Sequence, residues 1–134
     1  MKVYYGTHSA RYLVAEIQQL KPGPTLMQQA MDALAAGPRS KDLVAVIPKA
    51  TRVNSVIIRD RTAFVDFSSE LVKRGFGGSA TEILAVAAIV NTLTEFPEVE
   101  RVQILVEGKK VDTLFGHVDV YDPLSRSPAI IKSK

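Results

Sequence analysis

Hydrophobic and polar positions alternate at the start of the chain. Val3 and Tyr5 stand against Lys2 and Tyr4, a period of two that predicts a strand over residues 1–6. Residues 12–20 continue the pattern with Leu13, Ala15 and Ile17 on one side, and the turn-like THSAR between them makes the pair a hairpin. Pro22 and Pro24 stop it, because neither can donate to a ladder. The period then changes. Met27, Ala30, Met31 and Leu34 recur at helical spacing after Thr25-x-x-Gln28, which reads as a capping box, and Gly37-Pro38 ends the helix. Methionines at that spacing signal core packing rather than a soft-metal site. A short apolar run at 42–47, closed by Pro48, reads as extended.

Two β-rich runs, 53–59 and 62–68, are separated only by Asp60-Arg61 and form a second hairpin. Val56 and Ile58 share one side of the first run, and Ala63, Val65 and Phe67 share one side of the second. GFGGS leads into the strongest helix of the chain, opened by Ser79-x-x-Glu82 and striped by Ile83, Val86, Ala87, Val90 and Leu93. Its alanine content lets it lie close to a sheet, and it is apolar enough to touch protein over much of its circumference. Residues 101–107 predict a strand with Val102, Ile104 and Val106 inward, turned by Gly108-Lys109-Lys110 and returning through 111–114. Pro123 and Pro128 argue for an irregular tail. The order ββ-α-β-ββ-α-ββ predicts an α+β fold, an antiparallel or mixed sheet with two helices packed on one face. The whole chain, 1–134, reads as a single domain, with residues 127–134 as a tail.

Composition narrows the chemistry. A chain of 134 residues, 46% apolar and 23% charged, has globular composition and room for one core. With no cysteine, disulfides, thiolate metal sites and cysteine nucleophiles are excluded, and two histidines leave no multi-histidine centre. We therefore expect no metal and no cofactor. The net charge of +3 is uneven: residues 1–62 carry nine basic and four acidic groups, whereas residues 63–134 carry eight and ten. The basic residues are scattered singly without interleaved aromatics, which argues against nucleic acid as a partner.

Three segments carry candidate chemistry. The GFGGSATE segment places Gly77, Gly78 and Ser79 at a helix N-terminus, where free amides suit an anion. It lacks the G-x-x-x-x-G-K-[ST] spacing, and a flexible connection accounts for the glycines equally well. His117 with Asp119 and Asp122 could form a base and its orienter, but no hydroxyl nucleophile sits in a recognisable elbow, so a histidine holding a turn through its ring is the simpler reading. Asp66 faces Arg59 and Arg61 across the second hairpin, which favours an ion pair over an acid–base couple. Nothing assembles nucleophile, base and oxyanion donor, and no enzyme is expected.

In order along the chain, LAAGP at 34–38, IPKATRVNSVIIRDRTAFVDFS at 47–68, GSATEILAVAAIVNTLTEFPEVERVQILVEGKKV at 78–111 and GHVDVYDPLSR at 116–126 resemble the GerMN domain family of sporulation and spore-germination lipoproteins. Each motif alone is turn or core chemistry; the ordered set is the specific feature. The resemblance implies a fold related to the ring-building motifs of secretion-type assemblies. It also implies life outside the cytoplasmic membrane on a lipid-tethered protein, and it supplies no catalytic residues. No signal peptide or lipobox cysteine is present, so the chain reads as a soluble piece whose membrane attachment comes only through a lipid anchor outside this sequence.

The expected role is protein interaction within an envelope complex, with other envelope or sporulation proteins or further copies of the chain as partners. Charge placement nominates Arg52, Arg59 and Arg61 on the basic hairpin, facing Glu95, Glu98 and Glu100 after the long helix of a neighbour. The alternative is a ligand-binding module, with Arg74 and the amides at 75–79 receiving an anionic or glycan ligand.

Overall fold

The computed structural model describes residues 1–75 and 78–132. Strands β1 (Lys2–Thr7) and β2 (Leu13–Ile17) pair antiparallel, and β3 (Leu43–Val44) joins the far side of β1. Helix α1 (Leu26–Ala36) lies between β2 and β3 in the chain. Strands β4 (Val53–Arg59) and β5 (Thr62–Phe67) form the second hairpin, with Arg59 opposite Thr62 and Ile57 opposite Phe64. A one-turn helix α2 (Glu70–Lys73) precedes the long helix α3 (Ser79–Leu93), which carries the chain across to β6 (Arg101–Val106). The crossover makes β6 parallel to β5. Strands β7 (Lys109–Lys110) and β8 (Leu124–Ser125) both pair antiparallel with the far side of β6, and a 3₁₀ turn (Pro128–Ile130) follows.

The class is α+β with antiparallel and mixed sheets, and the expected element order holds except that α2 and β8 are added and the strand returning from β6 is Lys109–Lys110 rather than 111–114. The strands divide into two sheets, β2-β1-β3 and β4-β5-β6 with β7 and β8 at its edge, and α3 packs against β1, α1 and β6. That placement follows from its sequence: every residue from Leu84 to Leu93 is buried, so the helix needs protein on all sides rather than on one face. The stripe that opens it differs at one position, because Ile83 is exposed. In β5 the alternation holds, with Ala63, Val65 and Phe67 fully buried. In β1 it does not: Tyr4 is buried beside Val3 and Tyr5, because its hydroxyl reaches charged partners at the end of α3.

Both two-residue turns adopt left-handed backbone. Asp60 and Arg61 (φ +50° and +62°) and Glu107 and Gly108 (φ +50° and +75°) give the primed-turn twist that tight hairpins need. The capping boxes are built differently from the reading of their spacing. Thr25 accepts from the Gln29 side chain at 2.9 Å, while the Gln28 amide reaches Asp32 and the Val53 carbonyl. In α3 the N-cap position falls on Gly78, and Glu82 turns away from its own helix. The tail is also more ordered than Pro123 and Pro128 suggested. Leu124 and Ser125 pair with Val102 and Arg101, and Ile131 bridges to Leu13 in the other sheet.

Candidate functional site

Glu82 begins the chemistry of this fold. It has no solvent exposure, yet its carboxylate is fully occupied. Oε2 accepts the amides of Leu114 (2.9 Å) and Phe115 (2.8 Å), and Oε1 those of His117 (2.7 Å) and Val118 (3.0 Å). Four oriented N–H groups are what allows a carboxylate to be buried without a cation. The 114–118 loop is thus wrapped around an anion that the chain supplies itself. His117 takes part through its backbone; among the described residues its ring forms no hydrogen bond with Asp119 or Asp122. The turn is held by Glu82, not by imidazole, and Asp119 accepts the Tyr121 amide at 3.0 Å.

Gly75, where the glycine-rich connection begins, borders the same loop. A Cβ on Gly75 would lie 2.3 Å from the Phe115 ring, so this glycine is required by a close approach. Gly78 is extended and Ser79 begins α3, both exposed; Gly77 lies outside the described residues. Arg74 is not beside an isolated anion site. It borders a polar cleft of about 530 Å³ that also contains Arg52, Glu70 and Glu107.

A second cluster sits at the far end of α3. The Arg126 guanidinium donates to the Asn91 carbonyl (2.8 Å), Thr94 Oγ1 (3.0 Å), Tyr4 Oη (2.9 Å) and Glu95 Oε2 (2.6 Å). Tyr4 Oη in turn donates to Glu95 at 2.6 Å. A cation here compensates the negative end of the helix dipole. Burial works against the Glu95 carboxylate, but its bonds from Tyr4 and Arg126 outweigh that and hold its pKa below the ordinary range. Burial and the neighbouring Glu95 push the Tyr4 hydroxyl up. Glu16 behaves like Glu95: desolvation is opposed and outweighed by the amides of Arg39 and Ser40, and its pKa falls.

The six residues nominated by charge fall into two groups. Glu95 is engaged inside its own molecule with Arg126, and Arg61 pairs with Glu100 at 3.3 Å. The Arg61 carbonyl also accepts the Glu100 amide at 2.7 Å. The basic turn and the acidic segment after α3 are therefore neighbours in one chain, not opposite poles, because parallel β6 starts beside the β4–β5 turn. Arg52, Arg59 and Glu98 are exposed and form no ion pair among the described residues; Arg59 lies over the Phe64 ring. Asp66 does not pair with Arg59 or Arg61. It stands opposite Ser55 and accepts the Gly108 amide at 2.7 Å, fixing the β6–β7 turn. Glu82, Tyr4 and Arg126 form a framework that the local sequence does not signal, since their partners lie 31 to 122 residues away.

No group of three or more His, Cys, Asp or Glu among the described residues is placed to hold a metal ion, and no described helix is long and apolar enough to cross a membrane. The open features are clefts: one of about 320 Å³ between α3 and the 124–130 strap, and one of about 490 Å³ between β4 and the start of α1.

Fold and site together define a small α+β domain whose polar framework is committed to its own loops. The chain belongs to the Germane family, described as sporulation and spore germination, whose model matches residues 2–112. It is 28% identical over 136 residues to the spore germination protein GerM of Bacillus subtilis (strain 168), covering 97% of this chain and 36% of that protein. The chain thus spans about a third of this relative's length. Among solved structures, the tandem GerMN domains of Bacillus subtilis GerM align over 92% of this chain and 45% of theirs, with a TM-score of 0.78 and 27% identity. The first GerMN domain alone gives a TM-score of 0.76 at 27% identity, over 94% of this chain and 98% of that one. A candidate lipoprotein from Clostridium perfringens gives 0.73 at 27% identity, over 96% and 87%.

Proposed function

We propose that this chain is a non-catalytic interaction domain of a GerM-like envelope protein, acting outside the cytoplasmic membrane to help assemble or stabilise a complex used in sporulation or germination. The observation that carries this reading is where the charges go. Glu82, Glu95, Asp66 and Arg126 are spent on backbone amides and on one another, so the groups best placed for chemistry hold loops together. Arg52, Arg59 and Glu98 are left at the surface for contact with other proteins. Likeness to GerM and to a candidate lipoprotein supports the envelope setting and the pathway.

The test is co-purification of the full-length protein from cross-linked sporulating cells, comparing the natural sequence with Arg52→Glu/Arg59→Glu. Loss of envelope proteins from the variant at unchanged folding and abundance is expected. An unchanged set of co-purifying proteins, together with substrate turnover by the purified protein, sinks the proposal.

A further inference from the structure

Strand β4 is the edge of its sheet, since among the described residues it pairs with β5 and with no other strand. The two-residue turn fixes which of its backbone groups are free. Arg59 and Thr62 flank the turn as a hydrogen-bonded pair, so Ile57–Phe64 and Ser55–Asp66 are hydrogen-bonded pairs as well. The N–H and C=O groups of Val56 and Ile58 therefore point away from β5, and no other backbone hydrogen bond among the described residues uses them.

Edges of this kind are usually guarded by proline, lysine, a bulge or a covering element. Exposed Arg59 guards the far end, and the other guard sits at the start of the strand, where the register shifts between Val53 and Ser55 and Gln28 bonds the Val53 carbonyl. Beyond it the strand carries apolar side chains on both faces. Ile57 is 56% exposed on the outer face and Ile58 41% exposed on the inner one. On the inner side Val56, Ile58, Met27 and Phe96 line the 490 Å³ cleft. Glu98 is the one charged residue in that lining, and it has no ion-pair partner among the described residues.

We propose that β4 receives an extended segment of a partner protein as an added strand, apolar on both faces, with a lysine or arginine directed to Glu98. The inference rests on the interaction-domain reading and names the surface and the partner's chemistry. Main-chain bonds to Val56 and Ile58 supply affinity, the cleft beside Met27 and Phe96 takes the inward side chains, and Glu98 selects the basic residue. A strand five residues long along β4 spans about 17 Å, enough to meet both free residues and the cleft together.

The probe is a capped seven-residue peptide of valine and threonine with one central lysine, and a control with glutamate in its place. Binding to the chain is followed by amide shifts and hydrogen exchange. The lysine peptide is expected to protect the Val56 and Ile58 amides and to bind about fivefold more tightly than the glutamate peptide. Glu98→Lys, an exposed change, should reverse that order, and Ile58→Pro, which removes an outward N–H, should abolish binding without altering the β4–β5 ladder. Equal binding of both peptides, or no protection at these two amides, overturns the proposal. Protection that grows with concentration of the chain alone overturns it too, since the occupant is then a second copy. If neither peptide binds while Arg52→Glu/Arg59→Glu still strips the co-purified proteins, the interaction reading stands and the β4 site falls.

Discussion

Glu82 shows how one side chain can organise a loop that has no regular structure. Its carboxylate accepts four amides from residues 114–118, and a glutamine in its place offers one acceptor oxygen and brings two donors toward N–H groups. Buried donors then lose their partners, so Glu82→Gln is expected to destabilise the chain by about 2–4 kcal/mol. A urea titration reads the loss, and hydrogen exchange should show it concentrated at Leu114, Phe115, His117 and Val118. Unchanged exchange there would mean that the loop is held by packing instead. Acid sensitivity arises at two other carboxylates. Glu95 and Glu16 have pKa values below the ordinary 4.5, so the stability they contribute is complete above that value and is lost as pH falls through their lowered values. Denaturation midpoints should fall as the pH is taken below 4.5, and the double change Glu16→Gln/Glu95→Gln should flatten that limb while lowering stability at neutral pH.

At the scale of elements, the β4–β5 hairpin was legible because the two runs alternate on either side of two residues, and the register is the one that spacing dictates. Its turn residues are unusual, since Asp60 and Arg61 occupy left-handed backbone that favours Asn-Gly. Arg61 has a compensation in its contacts to Glu100 and the Pro97 carbonyl, but that ion pair is more than half exposed and contributes little. Arg61→Gly is therefore expected to raise stability by about 0.5–1 kcal/mol, read as a higher urea midpoint; a lower one would show that the contacts dominate. Helices α1 and α3 were legible from their 3.6-residue period, whereas the single turn of α2 is too short to show one. The destination of Glu82 was not, because Ser79-x-x-Glu82 fixes a spacing and cannot say that amides 32 to 36 residues later will compete for the carboxylate. Nor was β8, whose two residues carry no period of their own and become a strand only because β6 presents a free edge. That Arg61 and Glu100 are neighbours within one chain was hidden for a similar reason: the parallel crossover that brings them together is a property of the path through α3, invisible in local composition.

The whole molecule is two sheets gathered around α3, and the segment after Gly116 ties them together. Leu124 and Ser125 extend the sheet of β6, Ser127 exchanges two bonds with the Asn91 side chain, and Ile131 bridges to Leu13 in the other sheet. The family match ends at residue 112, yet the Clostridium perfringens structure aligns over 96% of the chain, which takes in most of this strap. Arg126 is its anchor. It caps the C-terminal end of α3 while pairing with Glu95 and Tyr4, so it joins the strap, the central helix and β1 in one cluster. Arg126→Met keeps much of the stem's packing and removes every polar bond, leaving Glu95 with Tyr4 alone. A loss of about 2–3 kcal/mol is expected from charge-assisted bonds and the uncompensated helix end. Arg126→Lys retains the charge but not the planar fork that reaches four acceptors, so it should recover only part of that loss. If the strap closes the fold cooperatively, urea unfolding of Arg126→Met keeps its slope while its midpoint drops. If the strap instead detaches by itself, exchange at Leu124, Ser127 and Ile131 accelerates with the midpoint unmoved, and Arg126 then secures a flap rather than the domain.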